Sequence, residues 1–399
     1  MGVNTAGESL DLKARLGRIR GSGGDNKKGG VLVGPSSTTA GLHPSIGWPG
    51  WTEAGFMVLK RELYRELPFS LPGVFSKELA IVVPDLIQMG RLPFPQELLF
   101  FDLETTGLSG GSGTVAFLAA FGRFDTSKIR ITQYLLLDYP GEADFVENVK
   151  NEFTVSRGVK SGGLPLVVSY NGKSFDSQII KNRWLMNRIK PPDYFHADLL
   201  HPARKLWRGQ IENCSQATIE VSVLGLDRCG DVSGAMAPDI WFSFLRAGEN
   251  GIYDNSQLLS VCDHNVRDIS GLAALFLALG EIAANPIDSR KKFRFNEEAL
   301  ALSWRKVLFN YPEFFGGDEP RRQYAKTGEL LIKNAAENGH PRAAVVMAKI
   351  AEWRLGDPAL ALMYTNAALA TAAIPESLQK ELEKRRVRLA GKINNGLVR

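Results

Sequence analysis

The 399-residue chain carries 48 Lys and Arg against 43 Asp and Glu, giving a formal charge of +5 and a pI near 9.0; it is long enough for two or three domains and basic enough to suit a polyanion partner. Its three cysteines, Cys214, Cys229 and Cys262, show no CxxC spacing, which argues against a disulfide framework and a structural zinc site and suits a reducing compartment. No run is apolar and long enough for a signal-peptide core or a membrane span, so a soluble cytoplasmic protein with no membrane partner is expected.

Residues 1–45 are rich in Gly, Ser and Lys and read as a disordered basic tail. Residues 46–97 read as an approach segment. Trp48, Trp51, Phe56 and Leu59 anchor it, while Pro49, Pro68 and Pro72 interrupt any long helix, so it is expected to pack on the following domain.

Residues 98–282 read as one α/β domain. Leu98 to Phe101 is a run of large apolar residues, the pattern of a buried strand, and it leads into Asp102 and Glu104. Two further strands, Val115 to Phe124 and Ile129 to Asp138, are separated by the turn Asp125-Thr126-Ser127, which suggests an antiparallel meander. Glu142 to Phe153 has helical spacing, and Pro165 to Tyr170 is a short strand closed by Asn171-Gly172. Ser174 is placed to cap a helix running through Trp184 and Leu185. Asp193 to Asp198 makes a fifth strand, and Ser256 to Leu279 a long final helix. The expected fold is a mixed five-stranded sheet flanked by helices. From Asn296 strand signals vanish, so residues 296–399 read as an all-α domain. Its pattern Ala359, Tyr364, Ala367, Pro375 resembles one tetratricopeptide unit, whose period is about 34 residues.

Four acids from three separated stretches carry the functional reading. Asp102 and Glu104 alternate on a strand and therefore leave it on one face. Asp176 falls in the first turn of a helix after a strand end. His264 and Asp268, spaced i and i+4, share a face of the last helix. Acids crowded at strand ends repel and lose hydration, and a divalent cation is the simplest compensation. Two hard cations about 3.5–4 Å apart, held by such oxygens, suit phosphodiester hydrolysis. In that scheme His264 accepts a proton from the attacking water or positions it. Lys181 to Arg208 adds seven basic residues against two acids, interleaved with Trp184, Tyr194, Phe195 and Trp207, the composition that single-stranded nucleic acid needs. The loop Ser109 to Gly113 is Gly-rich, a composition that lets a phosphate backbone approach, or simply turns the chain.

The stretches Asp102-Leu103-Glu104-Thr105-Thr106-Gly107, Ser169 to Asp176, Asp198 to His201, Asp231 to Gly234 and His264 to Asp268 together resemble the DnaQ-like, DEDD-type 3′–5′ exonucleases of the RNase H-like superfamily. More closely, they resemble its YprB-like group. That resemblance implies an RNase H-like sheet and Mg2+ or Mn2+, two ions, held by Asp102, Glu104, Asp176 and Asp268. It also implies single-stranded DNA or RNA as the partner, with a further protein partner for the C-terminal helices. In one branch of the family a His lies five residues before the last Asp, where this chain has Asp263; in the other a Tyr lies four before it, where this chain has His264. The identity of the base therefore stays open. A catalytically inactive nucleic-acid-binding or scaffold protein with a helical partner-binding tail is the alternative.

Overall fold

The computed structural model describes residues 48–107, 113–154, 164–249, 255–371, 374–394 and 396. The tail expected over residues 1–45, and all of the Gly-rich loop except Gly113, lie outside these.

The run at Leu98 is strand β3 (Leu98–Thr105), near the middle of a mixed sheet. The strands are β1 (Trp51–Gly55), β2 (Val58–Glu66), β3, β4 (Ala116–Asp125), β5 (Lys128–Leu136), β6 (Leu166–Ser169) and β7 (Phe195–Asp198), ordered β1-β2-β5-β4-β3-β6-β7. The expected antiparallel meander is β3-β4-β5, while β6 and β7 join parallel to β3. The sheet has seven strands and not five. Residues 51–66 form a hairpin whose second strand zips along the full length of β5, from Val58 opposite Leu136 to Glu66 opposite Lys128. Its sequence is too polar to announce this, because one place in from the sheet edge the backbone ladders to β1 and β5 hold the strand and much of its surface stays wet.

Both faces of β3 are covered, which is why its apolar residues run without alternation. Leu98 and Phe100 join one core, Leu99, Phe101 and Leu103 the other. Asp102 and Glu104 therefore face the same side as Leu98 and Phe100. That side is covered by a 29-residue helix, Ser256–Ala284, which buries Val266, Ile269 and Leu272 there. In chain order the helices are α1 (Leu79–Val82), α2 (Glu142–Thr154), α3 (Asp176–Met186), α4 (Leu200–Trp207), α5 (Gln216–Ser222), α6 (Ala237–Glu249) and α7, the long helix. They continue as α8 (Ser289–Phe293), α9 (Glu297–Asn310), α10 (Asp318–Glu337), α11 (Pro341–Trp353), α12 (Pro358–Leu369) and α13 (Glu376–Asn394). The last five share the apolar core on the α7 side, through Trp304, Phe315, Ala343 and Leu382.

One local expectation changes. Helix α3 begins at Asp176 and Phe175 is its N-cap, with no side chain capping it, so Ser174 does not serve as the cap. The loop before α3 is tied down differently: Asp198 accepts from the backbone N–H groups of Asn171 (2.8 Å) and Lys173 (3.1 Å), and the Ser177 N–H donates to Gly172 O. The N-terminus of α7 likewise has Asn255 in the cap position without a side-chain bond.

Helix α7 approaches the sheet at Gly122 of β4. A Cβ there would lie 2.6 Å from Ile269 Cγ2 and 2.7 Å from Ile129 Cδ1. Gly122→Val is expected to destabilise by about 1–3 kcal/mol through overpacking. The check is a lower urea midpoint at an unchanged m-value; a wild-type midpoint would show that helix and sheet are not in contact at this residue.

Candidate metal centre

The five residues singled out from sequence line one cleft of about 240 Å3: Asp102 and Glu104 from β3, Asp176 from the start of α3, and His264 and Asp268 from α7. Their placement follows from three local rules. Alternation on β3 aims both acids at α7. The β6–α3 turn, passing through Asn171 at φ 66°, returns the chain so that Asp176 reaches the strand ends. The Gly172 site is crowded: a Cβ would meet Ser169 Oγ at 2.5 Å and Asp176 Oδ2 at 3.1 Å, so a residue with no side chain is required. The i, i+4 spacing on α7 then stacks His264 over Asp268, with Nε2 and Oδ2 3.2 Å apart.

The ligand atoms of Glu104, His264 and Asp268 lie within 4.8 Å of one another; Asp102 and Asp176 line the same cleft but stand outside that trio. Its acids are largely withdrawn from solvent, Glu104 and Asp176 buried and Asp102 and Asp268 half-buried. Burial first, and then the charges of Asp268, Asp176 and Glu104, push the Asp102 carboxyl well above the usual carboxylate range. Glu104 is raised well above it by burial and by Asp268, Asp176 and Asp231. Burial and, secondarily, Asp198 and Asp268 raise Asp176 to about 7. Carboxylates forced together in a poorly hydrated place hold protons unless a cation replaces them. An all-oxygen set with one imidazole is the chemistry of a hard divalent ion, so the residues present fit Mg2+ or Mn2+.

A layer behind the cleft, mostly invisible in the sequence, aims these groups. Asn265, fully buried, donates from Nδ2 to Asp102 Oδ2 (2.6 Å), while its Oδ1 accepts from Gln133 Nε2 (2.8 Å). Gln133 Oε1 in turn accepts from Arg61 Nε (2.6 Å) on β2. On the other side Arg228 contacts Asp268, Asp231 (3.0 Å) and Glu220 (3.2 Å). Asp231 also takes His264 Nδ1 at 2.9 Å, which leaves Nε2 facing the cleft, 4.0 Å from Glu104 Oε1. Asp263 is exposed and pairs with Arg61 (2.8 Å). The position five before Asp268 is thus turned toward the sheet edge, and the imidazole reaching the acids belongs to His264.

The histidines flanking Asp198 play other parts. His196 is bonded to Ser169 Oγ (2.8 Å), and burial lowers it to about 4; His201 is exposed. The aromatics of the basic stretch divide too: Trp184 and Trp207 are fully buried in the two cores, so they are not stacking surfaces.

With this geometry in view, comparison with known proteins gives the class. The family model described as RNase H superfamily matches residues 99–279, and these residues form an RNase H superfamily domain. The chain is YprB-like: it is 33% identical over 244 residues to the uncharacterized protein YprB of Bacillus subtilis (strain 168), covering 60% of this chain and 53% of YprB. The chain thus spans about half the length of the curated relative it matches.

Two outcomes are expected here. Asn265→Ala leaves Gln133 Nε2 with the Cys262 carbonyl alone (2.9 Å) and removes a donor from Asp102, and should cost about 1–3 kcal/mol as buried groups lose partners; an unchanged denaturation midpoint would mean that the Gln133–Asn265–Asp102 chain contributes no stability. The second concerns pH. Because Asp176 is raised from 3.8 to about 7, its proton stabilises the metal-free fold fully below about pH 4, and that contribution is lost as pH rises through 7. In EDTA, Asp176→Asn should therefore flatten the fall of Tm between pH 5 and pH 8. Mn2+ should raise the wild-type Tm more at pH 8 than at pH 5. Equal Mn2+ shifts at both pH values, or an unaltered slope in the variant, would contradict this electrostatic account.

Proposed function

We propose that the protein is a metal-dependent nuclease that hydrolyses phosphodiester bonds of DNA or RNA as a 3′–5′ exonuclease, with two Mg2+ or Mn2+ ions held by Asp102, Glu104, Asp176 and Asp268. The observation that carries the reading is the convergence of these acids, from β3, α3 and α7, on one poorly hydrated cleft with His264 beside them. Bound there, the cations would supply Lewis-acid stabilisation of charge on the phosphate and its leaving oxygen. The chain's own groups supply position and proton handling. Asn265 fixes the rotamer of Asp102. Asp231 engages His264 Nδ1, which turns Nε2 into the cleft beside Asp268 Oδ2 (3.2 Å), where it can orient a water or accept its proton. Gly234 keeps that nitrogen accessible, since a Cβ there would come within 3.1 Å of it.

A binding-only role is the second reading. The Arg228 guanidinium favours it, because it already neutralises part of the charge on Asp268 without a metal. In either case α10–α13, successive helices that include the tetratricopeptide-like pattern, offer a surface for a protein partner, with Trp353 largely exposed on it.

Digestion of end-labelled single- and double-stranded DNA and RNA by the full chain with Mn2+ decides between the two. We expect a single-nucleotide ladder shortening from the 3′ end, abolished by EDTA and reduced to background in Asp102→Ala. Intact substrate throughout, or equal activity of wild type and variant, would leave the binding-only reading.

A further inference from the structure

The basic stretch Lys181 to Arg208 is dispersed by folding. Arg183 is buried against Glu142, Lys205 donates to Ser303 Oγ (3.0 Å), and Lys181, Arg188 and Lys190 are exposed along and just beyond α3. Arg204 and Arg208 share a destination. Both line a cavity of about 630 Å3 at the end of α4, in which Glu212 is the one acid. Among the described residues neither arginine has an ion-pair partner, unlike Arg61, Arg183 and Arg228 around the candidate metal centre. Two exposed, uncompensated guanidinium groups in one concavity are matched to an anion.

The cavity is also contiguous with the acid cleft. Tyr170 and Asn171 line both. The Tyr170 hydroxyl donates to Cys214 O at 2.6 Å, which pins the ring in the shared wall. Asn171 is held in its left-handed conformation by Asp198, through the Asn171 N–H. The ridge between the two spaces is therefore rigid, with acids on one side and unpaired arginines on the other.

We propose that the Arg204/Arg208 cavity binds the phosphates of a polynucleotide strand whose end lies in the acid cleft, so that the strand crosses the Tyr170–Asn171 ridge. This rests on the nuclease reading for what happens at the acid end, but the binding itself does not require hydrolysis. The acid cleft repels phosphate unless cations fill it, so sequence-independent attraction must come from elsewhere, and these arginines supply it beside the site. The chemistry recognised is a chain of phosphodiesters, common to DNA and RNA.

The test is fluorescence anisotropy of labelled twelve-nucleotide oligothymidine and oligouridine with the full chain in EDTA, over a salt series. Each single-strand phosphate contact contributes a slope of about −0.7 in log K against log [salt], so Arg204→Ala/Arg208→Ala should flatten the slope by about 1.4 and weaken binding roughly tenfold at moderate salt. Arg204→Lys/Arg208→Lys should retain most of the slope, and Lys181→Ala, a charge lost outside the cavity, should leave it unchanged. The proposal fails if wild type does not bind either oligomer, if the double alanine variant binds with the wild-type slope, or if Lys181→Ala weakens binding equally. It also fails if thymidine monophosphate at equal nucleotide concentration competes as well as the oligomer, since the cavity then takes a mononucleotide. Arginine-dependent binding without Mn2+-dependent cleavage would sink the nuclease reading and leave the strand site standing; the reverse result would do the opposite.

Discussion

The molecule is arranged to keep several carboxylates close together where water can scarcely reach them. Left alone, such an arrangement is unfavourable: the acids are raised well above the usual carboxylate range and hold protons that the unfolded chain would release. The fold tolerates this because the acids sit on elements anchored by large apolar contacts. β3 is buried on both faces, and α7 is packed along the sheet through Val266, Ile269 and Leu272. Hydrophobic burial thus supports an electrostatically costly site, the usual relation between a scaffold and a centre built for charge stabilisation.

Two supporting layers give the cleft its asymmetry. Behind Asp102 lies a neutral relay, Asn265 and Gln133, ending at Arg61 on β2, a strand contributed by the segment before the central domain. Behind Asp268 and His264 lies a charged one, Arg228 with Asp231 and Glu220, and burial raises Glu220 to about 8. Gly271 allows this second layer to approach α7: a Cβ at that position would fall on Glu220 Oε1. The hairpin β1–β2 therefore does more than extend the sheet, since Arg61 holds both Gln133 and Asp263.

Charge is also distributed in sign across the face. The acids occupy the cleft between the end of β3 and the middle of α7, and arginines with no ion-pair partner among the described residues occupy the adjoining cavity at the end of α4, with Tyr170 and Asn171 between. The five C-terminal helices from α9 share the core under α7, and they are tied to the central domain by Asn296 N–H donating to Leu206 O and by Lys205 to Ser303. Any partner engaging that tail would be attached to the same body that carries the cleft.

Much of this was legible before folding. The apolar run at Leu98, the alternation of Asp102 with Glu104 and the i, i+4 pair on α7 are local patterns, and backbone periodicity alone gives their faces. The meander and the helices α2, α3 and α7 likewise follow from short-range turn and spacing signals, whereas α4, α5 and α6 are not predicted by them. What the sequence could not reveal depends on partners distant along the chain. The β1–β2 hairpin is stabilised by the ladder β5 offers it, Gln133 looks like any strand residue until Asn265 arrives beside it, and the basic stretch separates into buried, paired and free members only when the sheet and helices close around it. Residue type and period are properties of the chain; hydration, pairing and the sharing of one cleft are properties of packing, so only the tertiary structure decided them.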